Sequence, residues 1–78
     1  MGLNEANIGQ EVVFERIEQN TELELKLSSL GLLPGDQLIV TGKAPFKGPI
    51  SVKHGNQTFF AIRFTEAKSI LVSSRGLS

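Results

Sequence analysis

The single histidine, His54, is the first place to look for chemistry in this sequence. Metal sites draw on several imidazole, thiolate or carboxylate ligands. The sequence contains no Cys, and no second His or closely spaced carboxylate lies near His54 along the chain. Only folding could bring Asp36 or Glu66 to it. We therefore assign no metal site, and we expect His54 to be an exposed residue beside a turn.

Signatures of catalysis and of nucleotide binding are missing from the sequence. No Gly-x-Ser-x-Gly turn presents a nucleophile, and the pair Gly31 and Gly35 is not followed by the Lys-Ser/Thr of a phosphate-binding loop. The lack of Trp and Tyr argues against a groove for proline-rich peptides. We expect neither an enzyme nor a bound cofactor.

Apolar side chains at irregular positions indicate binding to another protein. Leu25 falls off the apolar stripe of a predicted helix, Leu33 lies in a turn, and Phe46 lies in a loop between Pro45 and Lys47. Phe59 faces away from the predicted core. Each alone is typical of an end of a small barrel, but a group of exposed apolar residues marks a protein-binding surface.

The zero net charge hides a division between the two halves of the chain. Through Asp36 there are seven acidic and two basic residues, and after it there are six basic residues and one acidic residue, so the halves carry −5 and +5. Opposite charges of this kind can solvate two sides of one domain, or a basic face can dock an acidic partner. Few exposed aromatic residues accompany the basic ones, so we do not expect nucleic acid as a ligand.

Short β-rich segments separated by turn residues dominate the sequence. We predict strands over 11–17, 37–42, 50–54, 58–64 and 69–73. Pro34-Gly35 predicts a type II turn, Gly55-Asn56 a two-residue hairpin turn, and 65–68 a tight turn or short 3₁₀ segment. Residues 3–8 form a short turn or one helical turn capped at Asn4. Five short strands favour a mostly β fold, a small closed or nearly closed SH3-like barrel.

One segment, 22–30, fits both a strand and a helix. Alternation of Leu with charged residues is typical of a strand, whereas Leu23, Leu27 and Leu30 share one helix face. A capping box from Thr21 and a left-handed ending at Gly31 favour the helix. We predict an inserted helix over 22–30, with Leu25 pointing to solvent.

Composition places these elements in one small domain. The chain has 78 residues, 40% hydrophobic and 21% charged, and no apolar run of the roughly 20 residues that a membrane helix needs. We expect a single domain over 1–78, with a core over about 3–73 and a frayed tail over 74–78. Because small secreted domains usually depend on disulfides, we expect a cytoplasmic protein without membrane insertion.

Three stretches in order resemble the ferrous iron transport protein A (FeoA) family. They are residues 30–35 (LGLLPG), 44–50 (APFKGPI) and 61–72 (AIRFTEAKSILV). Lys47 departs from the small residue that the family more often has there. The resemblance implies an SH3-like barrel and a cytosolic accessory protein of the FeoB permease. It also implies a relationship to the C-terminal barrel of metal-dependent repressors.

From residues and resemblance together we predict a docking surface for the cytoplasmic region of FeoB. Leu25, Leu33 and Phe46 would be its apolar anchors, with Lys43 and Lys47 steering an acidic partner. Motif glycines and prolines would shape this surface without touching the partner: Gly31, Pro34, Gly35, Pro45 and Pro49. A metal-responsive regulatory barrel is the alternative function, with His54 as the metal candidate, and exposed strand edges leave a homodimer open.

Overall fold

Five antiparallel strands form the framework of the computed structural model, which describes residues 1–74. They form one sheet in the order β4-β3-β2-β1-β5, and its edge strands β4 and β5 do not pair with each other, so the sheet is not closed. The five strands and the inserted helix confirm the predicted mostly β class. The strands are β1 (Glu11–Ile17), β2 (Gln37–Lys43), β3 (Ile50–His54), β4 (Thr58–Ile62) and β5 (Ile70–Ser74).

Three short segments complete the fold. A 3₁₀ helix spans Leu3–Glu5, helix α1 spans Thr21–Ser29, and helix α2 spans Phe64–Ala67. The 3₁₀ helix begins after Gly2, so the predicted cap at Asn4 is wrong. Strand β4 is two residues shorter than predicted because Phe64 already belongs to α2. Ser74 lies in β5 rather than in the predicted tail, and 75–78 lie outside the described residues.

The core lies on one face of the sheet, and every second side chain along a strand points to it. In β2, Leu38 and Val40 are buried while their neighbours are more exposed, as a period of two requires. None of the described residues that are buried is polar or charged. Fully buried apolar side chains each stabilise the fold by about 1.5–3 kcal/mol through their removal from water. The larger of these are Leu3, Leu32, Leu38, Ile50, Ile70, Val12, Val40 and Val52.

The β3–β4 hairpin has three loop residues instead of the predicted two. His54 pairs with Thr58, which leaves 55–57 as the loop, with Gly55 at φ 71°. A two-residue turn would shift the register by one position and turn Ile62 out of the core. In the observed register Val52 faces Phe60 and Ile50 faces Ile62, so burial of the β4 side chains decides the loop length.

Helix α1 begins and ends with side-chain and backbone caps. The Asn20 side chain accepts a hydrogen bond from the Leu23 N–H at 3.0 Å, so Asn20 caps the helix instead of the predicted Thr21. At the other end Gly31 has φ 92°, and the Leu32 N–H donates to the Leu27 carbonyl at 3.0 Å. This is the Schellman ending that the sequence predicts.

The faces of α1 follow the prediction with one exception. Leu23 and Leu27 are buried, and Leu25 is 65% exposed, as expected from the helical period. Leu30, predicted on the buried stripe, is 49% exposed. It occupies the C-cap, where the chain leaves the helix, and Leu32 in the Schellman ending takes the buried position instead.

Candidate protein-docking site

The turn 33–36 presents one of the predicted apolar anchors. The Asp36 N–H donates to the Leu33 carbonyl at 3.0 Å, and Gly35 has φ 95°, so the Pro34-Gly35 pair forms the turn that the sequence predicts. The Leu33 N–H donates in turn to Asp36 Oδ2 at 2.9 Å. Leu33 is thereby held on a turn closed from both sides, with 56% of its surface exposed.

His54 is attached to this turn and is not the exposed residue that we expected. Its Nε2 lies 3.0 Å from Asp36 Oδ2, and its ring stacks on Phe60 with centroids 5.9 Å apart. The His54 side chain is 20% exposed. The expectation was wrong because sheet pairing places His54 opposite Leu38, two residues beyond Asp36. Asp36 thus joins the hairpin to turn 33–36.

Metal-binding geometry around His54 is limited to this pair. Within residues 1–74 there is no group of three or more His, Cys, Asp or Glu side chains that could hold a metal ion. Glu66, the other acid considered, lies in α2 and does not hydrogen-bond to His54. In this structure the Asp36 carboxylate accepts a hydrogen bond from the Leu33 N–H and thereby stabilises the turn.

The loop 44–49 presents Phe46 in an unusual backbone conformation. Phe46 and Lys47 both have φ 58°, in the left-handed region, and the Gly48 N–H donates to the Pro45 carbonyl at 3.1 Å. A second bond closes the loop, from the Ala44 N–H to the Pro49 carbonyl at 3.0 Å. Two consecutive left-handed residues without glycine cost about 1–2 kcal/mol each. The Phe46 side chain is 99% exposed.

Close packing inside the loop accounts for Gly48. A Cβ added there would lie 2.6 Å from the Ala44 Cβ and 3.1 Å from the Pro45 carbonyl oxygen. Both distances are shorter than ordinary contacts between such atoms. The loop is therefore compact even though its tip is exposed.

The two predicted lysines have different environments. Lys43 Nζ donates to the Asn4 carbonyl at 3.1 Å, so its ammonium rests on the 3₁₀ helix near the end of β2. Lys47 lines a groove with Arg63 and Phe64 at the start of α2. Arg63 and Phe64 were not among the predicted site residues, although both lie within the motif 61–72.

The five predicted partner-binding residues lie in different segments of the chain. Leu33 lies just before β2 and Phe46 just after it, so the seven residues of the strand separate them. At about 3.3 Å per residue a strand of this length is roughly 20 Å long. Phe46, Lys47 and Lys43 belong to the loop side of β2, whereas Leu33 follows α1, which carries Leu25. The predicted residues therefore fall in two segments, one before and one after β2.

The shaping residues sit where their backbone properties are used. Gly31 and Gly35 both have positive φ, at the end of α1 and in turn 33–36. Pro34 precedes Gly35 in that turn, and the carbonyls of Pro45 and Pro49 accept the two hydrogen bonds that close loop 44–49.

No helix among residues 1–74 is long and apolar enough to cross a membrane.

Comparison with solved structures finds the same fold in other proteins. A manganese-dependent transcriptional repressor matches with a TM-score of 0.84 over 95% of this chain and 41% of its own, at 23% identity, which is a likeness of fold alone. The FeoA protein of Stenotrophomonas maltophilia, solved in complex with zinc and described as a prokaryotic SH3 domain protein, matches with a TM-score of 0.78. It is 30% identical, over 94% of this chain and 89% of its own. The fold is thus SH3-like, as predicted.

Proteins named FeoA or iron(II) transport protein A are similar to this chain in both fold and sequence. FeoA of Chlorobium tepidum matches with a TM-score of 0.87 at 29% identity, over 97% of this chain and 71% of its own. Iron(II) transport protein A of Clostridium thermocellum matches with a TM-score of 0.85 at 33% identity, over 97% of this chain and 46% of its own. No curated protein sequence matches significantly. The FeoA domain model matches residues 1–74, and this chain belongs to the FeoA family, which is linked to ferrous iron transport.

Proposed function

We propose that this protein is a non-enzymatic accessory module of ferrous iron uptake that docks on the cytoplasmic region of a FeoB-type permease. Membership of the FeoA family supports the link to iron uptake. The observation that carries the docking role is Phe46, which is 99% exposed at the tip of a strained loop. Strain of this kind persists where the surrounding structure imposes it, and it concentrates at sites of function.

Loop 44–49 is the primary contact in this proposal. An exposed aromatic side chain loses surface to water when a partner covers it, and aromatic residues dominate binding energy at interfaces. Lys43 and Lys47 flank Phe46 and would raise the rate of encounter with an acidic partner surface. Leu25 and Leu33, which precede β2 in the chain, would form a second contact with a large partner.

Docking would regulate transport only under one physical condition. A bound module shifts a permease between two states to the extent that its affinity for those states differs. The accessory role therefore requires docking that is tighter to one nucleotide-bound state of the FeoB cytoplasmic region than to another. The protein would act in the cytoplasm, where that region lies.

The test is an NMR titration of isotope-labelled protein with the cytoplasmic fragment of FeoB. We expect shifts on residues 43–49 and smaller ones on α1 and turn 33–36. Phe46→Ala is expected to weaken binding by about tenfold, as an interface anchor does. Phe59→Ala is the matched control because Phe59 is also exposed, at 63%, but lies on β4. Equal loss in both variants, or no shifts with the fragment, would contradict the proposal.

A metal-responsive role is the second candidate. The His54–Asp36 pair supports it because imidazole and carboxylate are two ligand types that Fe(II) accepts. The same labelled protein would be titrated with Fe(II) under anaerobic conditions. Saturable shifts around His54 that His54→Ala abolishes, without any response to the FeoB fragment, would replace the docking role with this one.

A further inference from the structure

A groove between loop 44–49 and the start of α2 lies beside Phe46 and was not among the predicted sites. Its volume is about 190 Å³, and its lining comprises Lys47, Gly48, Pro49, Arg63, Phe64 and Thr65. An α-helix with its side chains is about 10–12 Å across, so the groove is too small to hold one. Its size suits a single side chain of an extended segment.

Basic side chains at this groove form no ion pair with the acidic residues that the structure describes. Neither Lys47 nor Arg63 has a carboxylate within 4.0 Å anywhere in residues 1–74, where the ion pairs join Arg16 to Glu18 and His54 to Asp36. The Lys68 ammonium lies 5.3 Å from the centre of the Phe64 ring, at the edge of the same region. Lys47 and Arg63 thus place two positive charges in the lining of the groove, with no ion pair among residues 1–74 to offset them.

Apolar surface lies between these charges. Pro49 and the half-buried Phe64 line the groove, and Phe46 projects beside it from residues held in the left-handed conformation. A ligand that fits must therefore offer negative charge at two or more points and an apolar side chain between them. Charge complementarity selects acidic residues, and the apolar lining selects an aliphatic one.

We propose that this groove binds an extended acidic segment of a partner protein, with Arg63 and Lys47 pairing its carboxylates and an aliphatic side chain resting on Phe64 and Pro49. The proposal deepens the docking role and rests on it only for the identity of the protein that carries the segment. Arg63 is the specificity residue because its planar guanidinium can bind a carboxylate through two parallel hydrogen bonds.

A second copy of this chain is a weaker occupant for the groove. Its acidic residues lie mainly in the first half of the chain, for example Glu22 and Glu24 beside the exposed Leu25 on α1. Contact between that helix and this groove would join two different surfaces, and such head-to-tail contacts continue into open chains unless the rotation closes. Helix α1 would also present a rigid cylinder to a groove sized for one side chain.

The experiment uses the whole protein and a defined probe, the peptide acetyl-Glu-Glu-Leu-Glu-Glu-Leu-amide. We expect NMR shifts on 47–49 and 63–65, and affinity that falls as NaCl is raised from low to physiological ionic strength. Arg63→Glu should weaken binding by about tenfold or more, and Arg63→Gln by less. Arg16→Glu is the matched control, since it makes the same charge change at another exposed arginine, on β1.

Several outcomes would overturn the proposal. They are equal binding of the charge-reversed peptide with Lys in place of Glu, equal losses in Arg63→Glu and Arg16→Glu, or shifts outside the groove. Tighter binding of a single-stranded oligonucleotide in the same groove would identify a nucleic-acid site instead. Reversible self-association that Arg63→Glu abolishes would identify a second copy as the occupant.

A parallel titration with the FeoB fragment separates this proposal from the docking role. If the fragment binds Arg63→Glu as tightly as the native protein, the groove is not the recognition element while the docking role stands. If the acidic peptide binds in the groove and the fragment does not bind the native protein, the docking role fails. In that case the groove proposal holds for a different acidic partner.

Discussion

Turn 33–36 and loop 44–49 flank the same strand, β2, and are built in opposite ways. In turn 33–36 the residue with positive φ is Gly35, and the Asp36 carboxylate accepts a hydrogen bond from the Leu33 N–H within the turn and contacts His54 Nε2 on β3. In loop 44–49 the residues with positive φ are Phe46 and Lys47, which favour other conformations. The first region follows local conformational preference, and the second departs from it.

This difference separates structural turns from candidate binding sites. A turn whose residues suit its backbone adds stability and requires no further explanation. A loop that holds a fully exposed Phe in a left-handed conformation gives up stability that Gly at the same position would retain. We infer that a functional role of loop 44–49 and its neighbouring groove accounts for this loss of stability.

Of the changes in turn 33–36 and loop 44–49, removal of the Asp36 carboxylate should produce the largest loss in stability. Asp36→Ala leaves the Leu33 N–H and the His54 Nε2 without their partner, and we expect a decrease of about 2 kcal/mol in the free energy of unfolding. Urea unfolding measures the change. Asp36→Asn keeps one acceptor oxygen and should lose about half as much. Equal stability of all three proteins would show that the carboxylate does not hold the turn.

A methyl group at Gly35 should destabilise the same turn by a smaller amount. Its φ of 95° disfavours any residue with a Cβ, yet an added Cβ would meet no atom within 4 Å. We expect Gly35→Ala to lower the free energy of unfolding by about 1 kcal/mol through backbone conformation alone. Thermal unfolding of the variant beside native protein measures it. An unchanged midpoint would mean that the turn relaxes without penalty.

Loop 44–49 should respond in the opposite direction. Lys47→Gly removes the left-handed penalty, partly offset by the greater entropy of the unfolded chain, and we expect a gain of about 0.5 kcal/mol. Chemical denaturation would measure the gain, with Lys53→Gly in β3 as a destabilising control. If the variant is more stable but binds the FeoB fragment more weakly, stability has been exchanged for binding at this loop. A loss of stability would contradict the strain argument.

The smallest expected effect concerns the helix that leads into turn 33–36. Leu25→Asp changes an exposed side chain and should alter the free energy of unfolding by less than about 0.5 kcal/mol. Leu27→Asp, two positions along, should unfold the protein because Leu27 is 2% exposed. Circular dichroism distinguishes the two. Unfolding of Leu25→Asp would show that Leu25 belongs to the core.

Local signals in the sequence were sufficient for most elements of the fold. The strand β1 and the Schellman ending at Gly31 matched the prediction because period and propensity act over a few neighbouring residues. The solvent-facing Leu25 followed from the same helical period. The predicted length of the hairpin loop was wrong because the length depends on which side chains of β4 reach the core. That is a property of the paired sheet and not of the loop residues.

The site was predictable only in part, for the same reason. Phe46 and Lys47 were identified from their place in a proline-flanked loop, but nothing in their types indicates a left-handed backbone. The pair His54 and Asp36 lies 18 positions apart, and only the pairing of β2 with β3 brings it together.

By itself the sequence determined the five strands, the helix, the turn at Gly35 and the family, since each depends on neighbouring residues or on ordered motifs. Tertiary structure alone decided that His54 contacts Asp36 at turn 33–36. It also placed Arg63 beside Lys47, across a groove formed by segments about sixteen residues apart in the chain. Side-chain types and spacing describe what a segment can do, whereas the meeting of distant segments depends on how the whole sheet buries its apolar face.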